Sequence, residues 1–350
     1  MRPGPASDRV LVVAPAWVGD AIMMQPLLMR LAERRPHRPI DVLAPVWVLP
    51  LLARMPEVDR AIPSPFRHGD LKVPARRALG RELARRGYGE AFVLPNSMTS
   101  ALVPFFAGIR VRTGYRGEMR YGLLNDVRRL DPLALPLMIE RFAALADPPG
   151  AMLQRPVPHP RLVADAASRE TLLDRLGLSP DRPVAILCPG AEYGPAKRWP
   201  AAHFAALAIR LAAHGLQSWI LGSPKDAAIG AEIAAASGAA AVDLCGRTGL
   251  ADAIDLLSIA AVVVTNDSGL MHVACALDRP TVALYGSSST GFTPPLSARA
   301  TPLTLGLSCS PCFRRECPLG HLDCLVKLTP DRVFATAVAA IDHSSAATPA

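Results

Sequence analysis

Short runs of Val, Ile and Leu alternate along this chain with longer segments that are rich in Ala, Leu and Arg. Such apolar runs are typical of strands buried on both faces, and their alternation with helical segments is typical of βαβ units in a parallel sheet. The sequence therefore predicts an α/β fold. In the first half the predicted strands are 10–14, 40–44, 91–94 and 111–115, and the predicted helices are 21–34, 71–86 and an apolar helix after 94.

The pattern is interrupted by residues 147–160, where six Pro or Gly residues indicate a linker between two domains. The alternation then restarts. We predict an N-terminal acceptor-binding domain over 1–150, a linker over 151–160, a nucleotide-sugar-binding domain over 161–330, and a C-terminal helix and tail over 331–350. The predicted strands of the second half are 184–188, 218–221, 241–244, 261–265 and 281–285, and its predicted helices are 201–214, 226–236, 250–260, 269–276 and 330–341.

Two Rossmann-like domains of this kind are expected to face each other across a cleft. In open α/β sheets, ligands bind beyond the carboxyl ends of the strands. We therefore expect the chemistry of this chain in the loops that follow its strands.

The chain carries a formal net charge of +8, and the excess lies in its first half. Residues 1–150 hold 22 Lys and Arg against 14 Asp and Glu, whereas the two kinds are balanced in the remainder. This asymmetry predicts an anionic partner such as nucleic acid, phospholipid headgroups or a phosphorylated acceptor. A solvated Arg-rich surface explains it equally well.

Neither export nor a membrane span is indicated by the sequence. The first apolar run, 10–18, is short and follows Asp8 rather than a basic segment, so we interpret it as a strand. The uncharged stretch 91–109 contains two prolines and four polar side chains, which argues against a transmembrane helix. The seven cysteines are accordingly expected to be free thiols in a cytoplasmic protein.

The loop after the first predicted strand holds Trp17, Gly19 and Asp20. Glycine permits a close backbone approach, and Asp20 lies at or near a predicted helix start. An Asp in this place can be a helix N-cap or a functional carboxylate, and position alone favours the cap. A dinucleotide fingerprint, G-x-G-x-x-G, is absent from the sequence, which disfavours a nicotinamide dehydrogenase.

Two loops of the second domain carry candidate anion-binding groups. Residues 189–200 are Gly-rich and end in Lys197-Arg198-Trp199-Pro200 ahead of a helix, an arrangement suited to phosphate. Residues 265–272 close a strand and open a helix whose free amide groups favour an anion. An ordinary exposed loop and a capped helix with a buried histidine are the structural alternatives.

Four cysteines lie within sixteen residues near His321, namely Cys309, Cys312, Cys317 and Cys324. Their spacing differs from that of paired zinc knuckles. We therefore favour free structural thiols, with a structural zinc site as the alternative.

These segments together resemble the ADP-heptose:lipopolysaccharide heptosyltransferase family over nearly the whole chain. Residues 17–20 resemble its acceptor-side motif and residues 188–200 its donor phosphate motif. Residues 265–272, followed by 280–286, resemble its most specific motif. The run 309–325 resembles the members that add the second heptose.

The resemblance implies a glycosyltransferase B fold. It also implies transfer of L-glycero-D-manno-heptose from ADP-heptose to the first heptose of the lipopolysaccharide inner core, with inversion and without a metal or other cofactor. The expected partners are ADP-heptose, the inner-core acceptor and, by peripheral contact, the anionic cytoplasmic face of the inner membrane, with no role for nucleic acid. A heptosyltransferase of another core position and a non-catalytic nucleotide-sugar-binding protein are the alternatives.

The same resemblance implies roles for individual residues. Asp20 matches the catalytic base, Trp17 and Gly19 its acceptor-side loop, and Lys197 the diphosphate-binding lysine. Related members hold the adenosine ribose with a Glu. This chain has no Glu in residues 222–226, where Asp226 is the candidate. The matches to the donor-binding segment are Asp267, Ser268, Gly269 and His272.

Overall fold

The computed structural model describes residues 9–67 and 69–346, with side chains described as far as residue 343. The chain divides into two compact units, Met1–Pro158 and His159–Ala350, and the division falls inside the predicted linker. Each unit is built on one six-stranded sheet whose paired strands all run parallel. The predicted α/β class is therefore confirmed.

The first unit places its most apolar strand at the centre of the sheet. Strand β1 lies between β2 and β4, with Val13 opposite Leu43 and Val93, and its residues from Val10 to Val13 are buried. The strand order is β3-β2-β1-β4-β5-β6. In chain order the elements are β1 (Arg9–Val13), α1 (Val18–Met23), α2 (Gln25–Arg34), β2 (Ile40–Pro45), α3 (Leu49–Leu52), β3 (Arg60–Ser64), α4 (Val73–Ala84), β4 (Tyr88–Val93), α5 (Met98–Phe106), β5 (Val111–Tyr115), β6 (Asp126–Arg128) and α6 (Met138–Ala144).

The second unit repeats this plan with strand order β12-β11-β10-β7-β8-β9. Its central strand β7 is buried along its whole length, and the C-terminal helix α13 packs against α8, β10 and β11. The elements are α7 (Ala166–Leu176), β7 (Val184–Cys188), α8 (Ala201–Ala213), β8 (Gln217–Ile220), α9 (Ala227–Ser237), β9 (Ala241–Asp243), α10 (Leu250–Leu257), β10 (Ala260–Asn266), α11 (Gly269–Ala276), β11 (Thr281–Leu284), β12 (Ala300–Leu303), α12 (Asp323–Val326) and α13 (Pro330–Ala346).

The prediction of one continuous helix over 21–34 was wrong. Instead of a single helix over 21–34, the structure has α1 ending at Met23 and α2 beginning at Gln25, with Pro26 in its first turn. Proline has no N–H with which to continue the hydrogen bonds of a preceding helix, but it is well tolerated in the first turn of a new one. Three strands were also missed, β3, β6 and β12, and each lies at the edge of a sheet.

Several arginines of the first unit serve the fold itself. Arg30 and Arg34 both pair with the buried carboxylate of Asp147. Arg120 is buried and donates hydrogen bonds to backbone carbonyls, among them that of Tyr115, and burial lowers the pKa of Arg120 to about 10. Part of the positive charge of residues 1–150 is therefore structural. Within the described ranges, no helix is both long and apolar enough to cross a membrane.

Candidate active site

The order of strands reverses once in each sheet, and these two reversals define where ligand-binding crevices form. In the second unit, the reversal lies between β7 and β10, which are hydrogen-bonded neighbours although they are far apart in the chain. Ligands of doubly wound sheets bind at such switch points, outside the carboxyl ends of the strands. The loops that leave β7 and β10 here are 189–200 and 267–268.

The buried side chain of Asn266 fixes these two loops to each other. Its amide Nδ2 donates to the carbonyl of Pro189 at 2.7 Å, and its Oδ1 accepts from the backbone N–H of Trp199 at 3.0 Å. Trp199 is itself fully buried, and its indole N–H donates to the carbonyl of Leu328. Both ends of loop 189–200 are therefore held at the end of β10.

An ion pair occupies the switch point. Lys197 Nζ lies 2.6 Å from Asp267 Oδ2, with the Lys197 side chain 16% exposed and that of Asp267 only 4% exposed. The ammonium also lies 5.1 Å from the centroid of the Tyr193 ring, and the Tyr193 hydroxyl donates to the carbonyl of Phe313. An ammonium has three donors, so Asp267 can orient Lys197 without using all of its hydrogen-bonding capacity.

Helix α11 begins immediately beside this ion pair. Its N-cap is Ser268, whose side chain makes no capping hydrogen bond and lies with its Oγ 3.4 Å from Thr265 Oγ1. The amide groups of Gly269 and the rest of the first turn therefore lack the side-chain cap that usually satisfies them. An uncapped helix N-terminus next to a lysine is suited to bind an anion.

His272 lies one turn into α11, and it is buried. Burial lowers its pKa to about 4, so the imidazole is neutral near pH 7. Its Nδ1 has no hydrogen-bond partner within the described part of the chain. A buried polar atom without a partner costs about 1–3 kcal/mol, which a ligand can recover by completing the hydrogen bond.

Asp226, the candidate for the ribose, lies at the carboxyl end of β8, the neighbour of β7. Its Oδ2 accepts from both the backbone N–H and the hydroxyl of Ser223, at 2.9 and 2.7 Å, in a capping box. A Cβ at Gly190 would lie 2.6 Å from this carboxylate, so a side chain there would displace Asp226 from its present position. Asp226 therefore follows the carboxyl end of a strand, where ligands of such sheets bind. One of its two carboxylate oxygens is already hydrogen-bonded to Ser223.

The first unit reverses its strand order between β1 and β4, and α1 follows β1 at this point. The N-cap of α1 is Trp17, which makes no side-chain capping hydrogen bond. Gly19 and Asp20 are the second and third residues of the helix, so the reading of Asp20 as the N-cap is wrong. Its carboxylate instead lies in the first helical turn, where the helix dipole favours negative charge.

Trp47, which follows β2, was not among the site residues predicted from the sequence. Its indole Nε1 donates to the carbonyl of Ala16 at 2.9 Å, next to Trp17, and both tryptophans are about half exposed. The signal available was an aromatic residue in the loop after a strand adjacent to β1. Trp47 lies in an apolar run, 46–52, which is also typical of a segment in the hydrophobic core.

The four clustered cysteines line one cavity of about 20 Å³ together with Ser287 and His321. All seven cysteines are free. The backbone N–H of Leu322, with those of neighbouring residues, lowers the pKa of the Cys317 thiol. Among residues 9–67 and 69–346, no group of three or more His, Cys, Asp or Glu side chains is arranged to hold a metal ion. The structural role of these thiols stays a prediction.

Residues 76–323 match the model of glycosyltransferase family 9, the heptosyltransferases. The chain belongs to this family. It is 49% identical to lipopolysaccharide heptosyltransferase 2 of Escherichia coli strain K12 over 335 residues, which cover 93% of this chain and 96% of that protein. It is 44% identical to lipooligosaccharide heptosyltransferase 2 of Haemophilus influenzae over 307 residues, covering 85% and 88%.

The solved structure of E. coli ADP-heptose lipopolysaccharide heptosyltransferase II superimposes with a TM-score of 0.88 at 46% identity, covering 96% of this chain and 99% of that one. The expected family and fold are therefore confirmed. The switch point of the second unit brings together four of the predicted site residues, namely Lys197, Asp267, Ser268 and His272. Asp20 lies at the switch point of the first unit.

Proposed function

We propose that this chain transfers L-glycero-D-manno-heptose from ADP-heptose to the first heptose of the lipopolysaccharide inner core, with inversion at the anomeric carbon. The names and the coverage of its relatives support ADP-heptose as the donor and lipopolysaccharide as the acceptor. The resemblance of residues 309–325 to members that add the second heptose supports the first heptose as the acceptor position. The observation that carries it is the Lys197–Asp267 ion pair beside the uncapped N-terminus of α11. A cation beside free helix amides is suited to bind a diphosphate, which supports the proposal.

On the donor side, the departing ADP gains negative charge as its bond to the sugar breaks. Lys197 and the amide groups at Ser268 and Gly269 stabilise that charge, since donors that are already in position need no reorganisation during the reaction. Asp267 acts as a positioning residue through its ion pair with Lys197. The neutral His272 donates or accepts a hydrogen bond at the sugar-diphosphate, and Asp226 uses its second oxygen for the ribose.

On the acceptor side, Asp20 is the general base. The acceptor hydroxyl oxygen attacks the anomeric carbon, its proton passes to the Asp20 carboxylate, and the bond between that carbon and the ADP oxygen breaks with both electrons leaving on ADP. Attack from the face opposite to ADP inverts the anomeric configuration. Trp17 and Gly19 shape the loop that receives the acceptor.

No metal takes part in this proposal, because Lys197 and the helix amides supply the charge stabilisation that a cation would otherwise give. Full activity in EDTA supports this. Loss of activity in EDTA with recovery on adding Mg²⁺ or Mn²⁺ would overturn it. The protein works at the cytoplasmic face of the inner membrane, where the positive charge of residues 1–150 favours peripheral contact with anionic lipid.

The test is an assay of ADP release with ADP-heptose and a panel of truncated inner cores. Release that requires a core ending in the first heptose supports the proposal. Release only with a core that ends before any heptose, or only with a longer core, assigns the enzyme to another position. Tight ADP-heptose binding without release on any core would instead indicate a nucleotide-sugar-binding protein.

A further inference from the structure

We propose that Trp47 and Trp17 together form an aromatic platform on which a sugar ring of the acceptor stacks. This inference deepens the proposed function and rests on it. It assigns an acceptor-positioning role to Trp47, and it identifies the ligand of the platform as a pyranose ring.

The exposure of the tryptophans sets these two apart. The chain has four tryptophans, of which Trp199 and Trp219 are fully buried. Trp17 and Trp47 are 50% and 52% exposed, and the adjoining Val46 is 59% exposed. Leaving two indoles in water forgoes a large hydrophobic gain, since each buries on the order of 150–250 Å² in a protein core.

The two loops that carry these indoles are tied to each other. They follow β1 and β2, which are adjacent parallel strands, so both loops leave the same edge of the sheet. The Trp47 Nε1 donates to the carbonyl of Ala16 at 2.9 Å, which ties the second loop to the residue before Trp17. The one polar atom of the Trp47 side chain is therefore satisfied by the protein itself. What this side chain offers to a ligand is the apolar face of its ring.

A pyranose is the ligand whose chemistry suits such a surface near Asp20. Its ring has an apolar face of C–H groups and a rim of hydroxyls, so one face can stack on an indole while a hydroxyl points elsewhere. Trp17 is the N-cap of α1 and Asp20 is its third residue, two positions that lie close enough in space to exchange the reciprocal hydrogen bonds of a capping box. A base must lie within about 3.2 Å of the hydroxyl oxygen whose proton it takes. The ring that carries this hydroxyl consequently lies beside Trp17.

Fluorescence provides a test that does not depend on turnover. Since Trp199 and Trp219 are buried, quenching by acrylamide reports mainly on Trp17 and Trp47. A deacylated core oligosaccharide ending in the first heptose should protect the wild-type protein from quenching, and protection should fall in Trp47→Phe because one reporter is lost. Equal quenching with and without saturating oligosaccharide would overturn the platform.

Kinetics with the same deacylated acceptor give the second readout. Trp47→Ala should raise KM for the acceptor about tenfold and leave KM for ADP-heptose within about twofold, while Trp47→Phe should retain most of the acceptor affinity. Leu133→Ala is the matched control, because Leu133 is 93% exposed in the same unit, and it should change neither constant.

The outcomes separate this inference from the proposed function. An active wild-type enzyme whose Trp47→Ala variant keeps a normal acceptor KM contradicts the platform alone. An effect seen only with the intact lipid-bearing acceptor would assign Trp47 to membrane contact and also contradict it. A wild-type protein that transfers to no core contradicts the proposed function, and the quenching experiment still decides whether the platform binds the oligosaccharide.

Discussion

Replacing Lys197 by alanine perturbs both the fold and the proposed chemistry, and the structure allows the two effects to be sized. At the 2.6 Å separation of Lys197 Nζ and Asp267 Oδ2, opposite charges attract by about 6 kcal/mol at an effective dielectric constant of 20. Desolvation offsets much of this, and breaking a buried pair costs about 3–5 kcal/mol. Because Lys197 is 16% exposed, water partly replaces it. We expect the free energy of unfolding to fall by about 2–3 kcal/mol.

The catalytic effect is separate from this loss of stability. If Lys197 also holds the donor diphosphate, its removal should cost about 2–4 kcal/mol of transition-state stabilisation, or roughly 30- to 1000-fold in kcat/KM for ADP-heptose. The double variant Lys197→Ala/Asp267→Asn distinguishes the two. In this double variant, Asn replaces the buried carboxylate of Asp267, so no buried charge is left without a partner. The free energy of unfolding should therefore recover, whereas kcat/KM should stay low because the cation is still missing.

Urea unfolding measures the first effect, and initial rates of ADP release measure the second. Lys327→Ala is the matched control: its side chain is 65% exposed and pairs with Asp323, outside the candidate donor loops. It should change stability by less than about 0.5 kcal/mol and kcat/KM by less than about threefold. A folded Lys197→Ala protein with kcat/KM within about threefold of wild type would refute the diphosphate role.

Three further predictions follow from the site and the charge distribution. Asp20→Asn should fold, bind ADP-heptose and lose roughly 10²–10⁴-fold in kcat, with a stability change within about 1 kcal/mol from the helix dipole; near-normal turnover would leave Asp20 only that dipole role. Because burial lowers the pKa of His272 to about 4, the unfolded chain binds a proton that the folded chain refuses between about pH 6.5 and pH 4. His272 should therefore lower the free energy of unfolding by about 2 kcal/mol as the pH falls from 7 to 5, and His272→Asn should lack this part of the pH dependence. The same pH dependence of urea unfolding in wild type and variant would contradict this. Vesicles with anionic lipid should bind the protein at low salt and release it at about 0.5 M salt, and retention until detergent is added would rule out an electrostatic contact.

The sequence predicted the centre of each sheet better than its edges. Strand β7 and helix α11 have the predicted bounds, because a fully buried strand and an uninterrupted helix carry a strong apolar signal. The edge strands β3 and β12 each have only one buried residue, so they lack that signal. The first helix was predicted to start at residue 21, but α1 starts three residues earlier, at Val18. Asp20 therefore lies inside the helix and is not its N-cap.

The contents of the candidate site were also only partly visible in the sequence. Lys197 and Asp267 stood out as residues in loops after strands, but their ion pair depends on β10 lying beside β7 in the sheet. Local sequence patterns do not encode that crossover. Trp47 was missed because its exposure is set by the direction in which the loop after β2 leaves the sheet.

The central claim is heptosyl transfer to the first heptose of the inner core, and the structure of the product tests it most directly. Mass spectrometry of a deacylated core ending in that heptose, incubated with ADP-heptose, should show the gain of one heptose for each ADP released. NMR of the product should show the new anomeric centre inverted relative to the donor. An acceptor of unchanged mass while ADP-heptose is bound, or a product with retained configuration, would contradict the account.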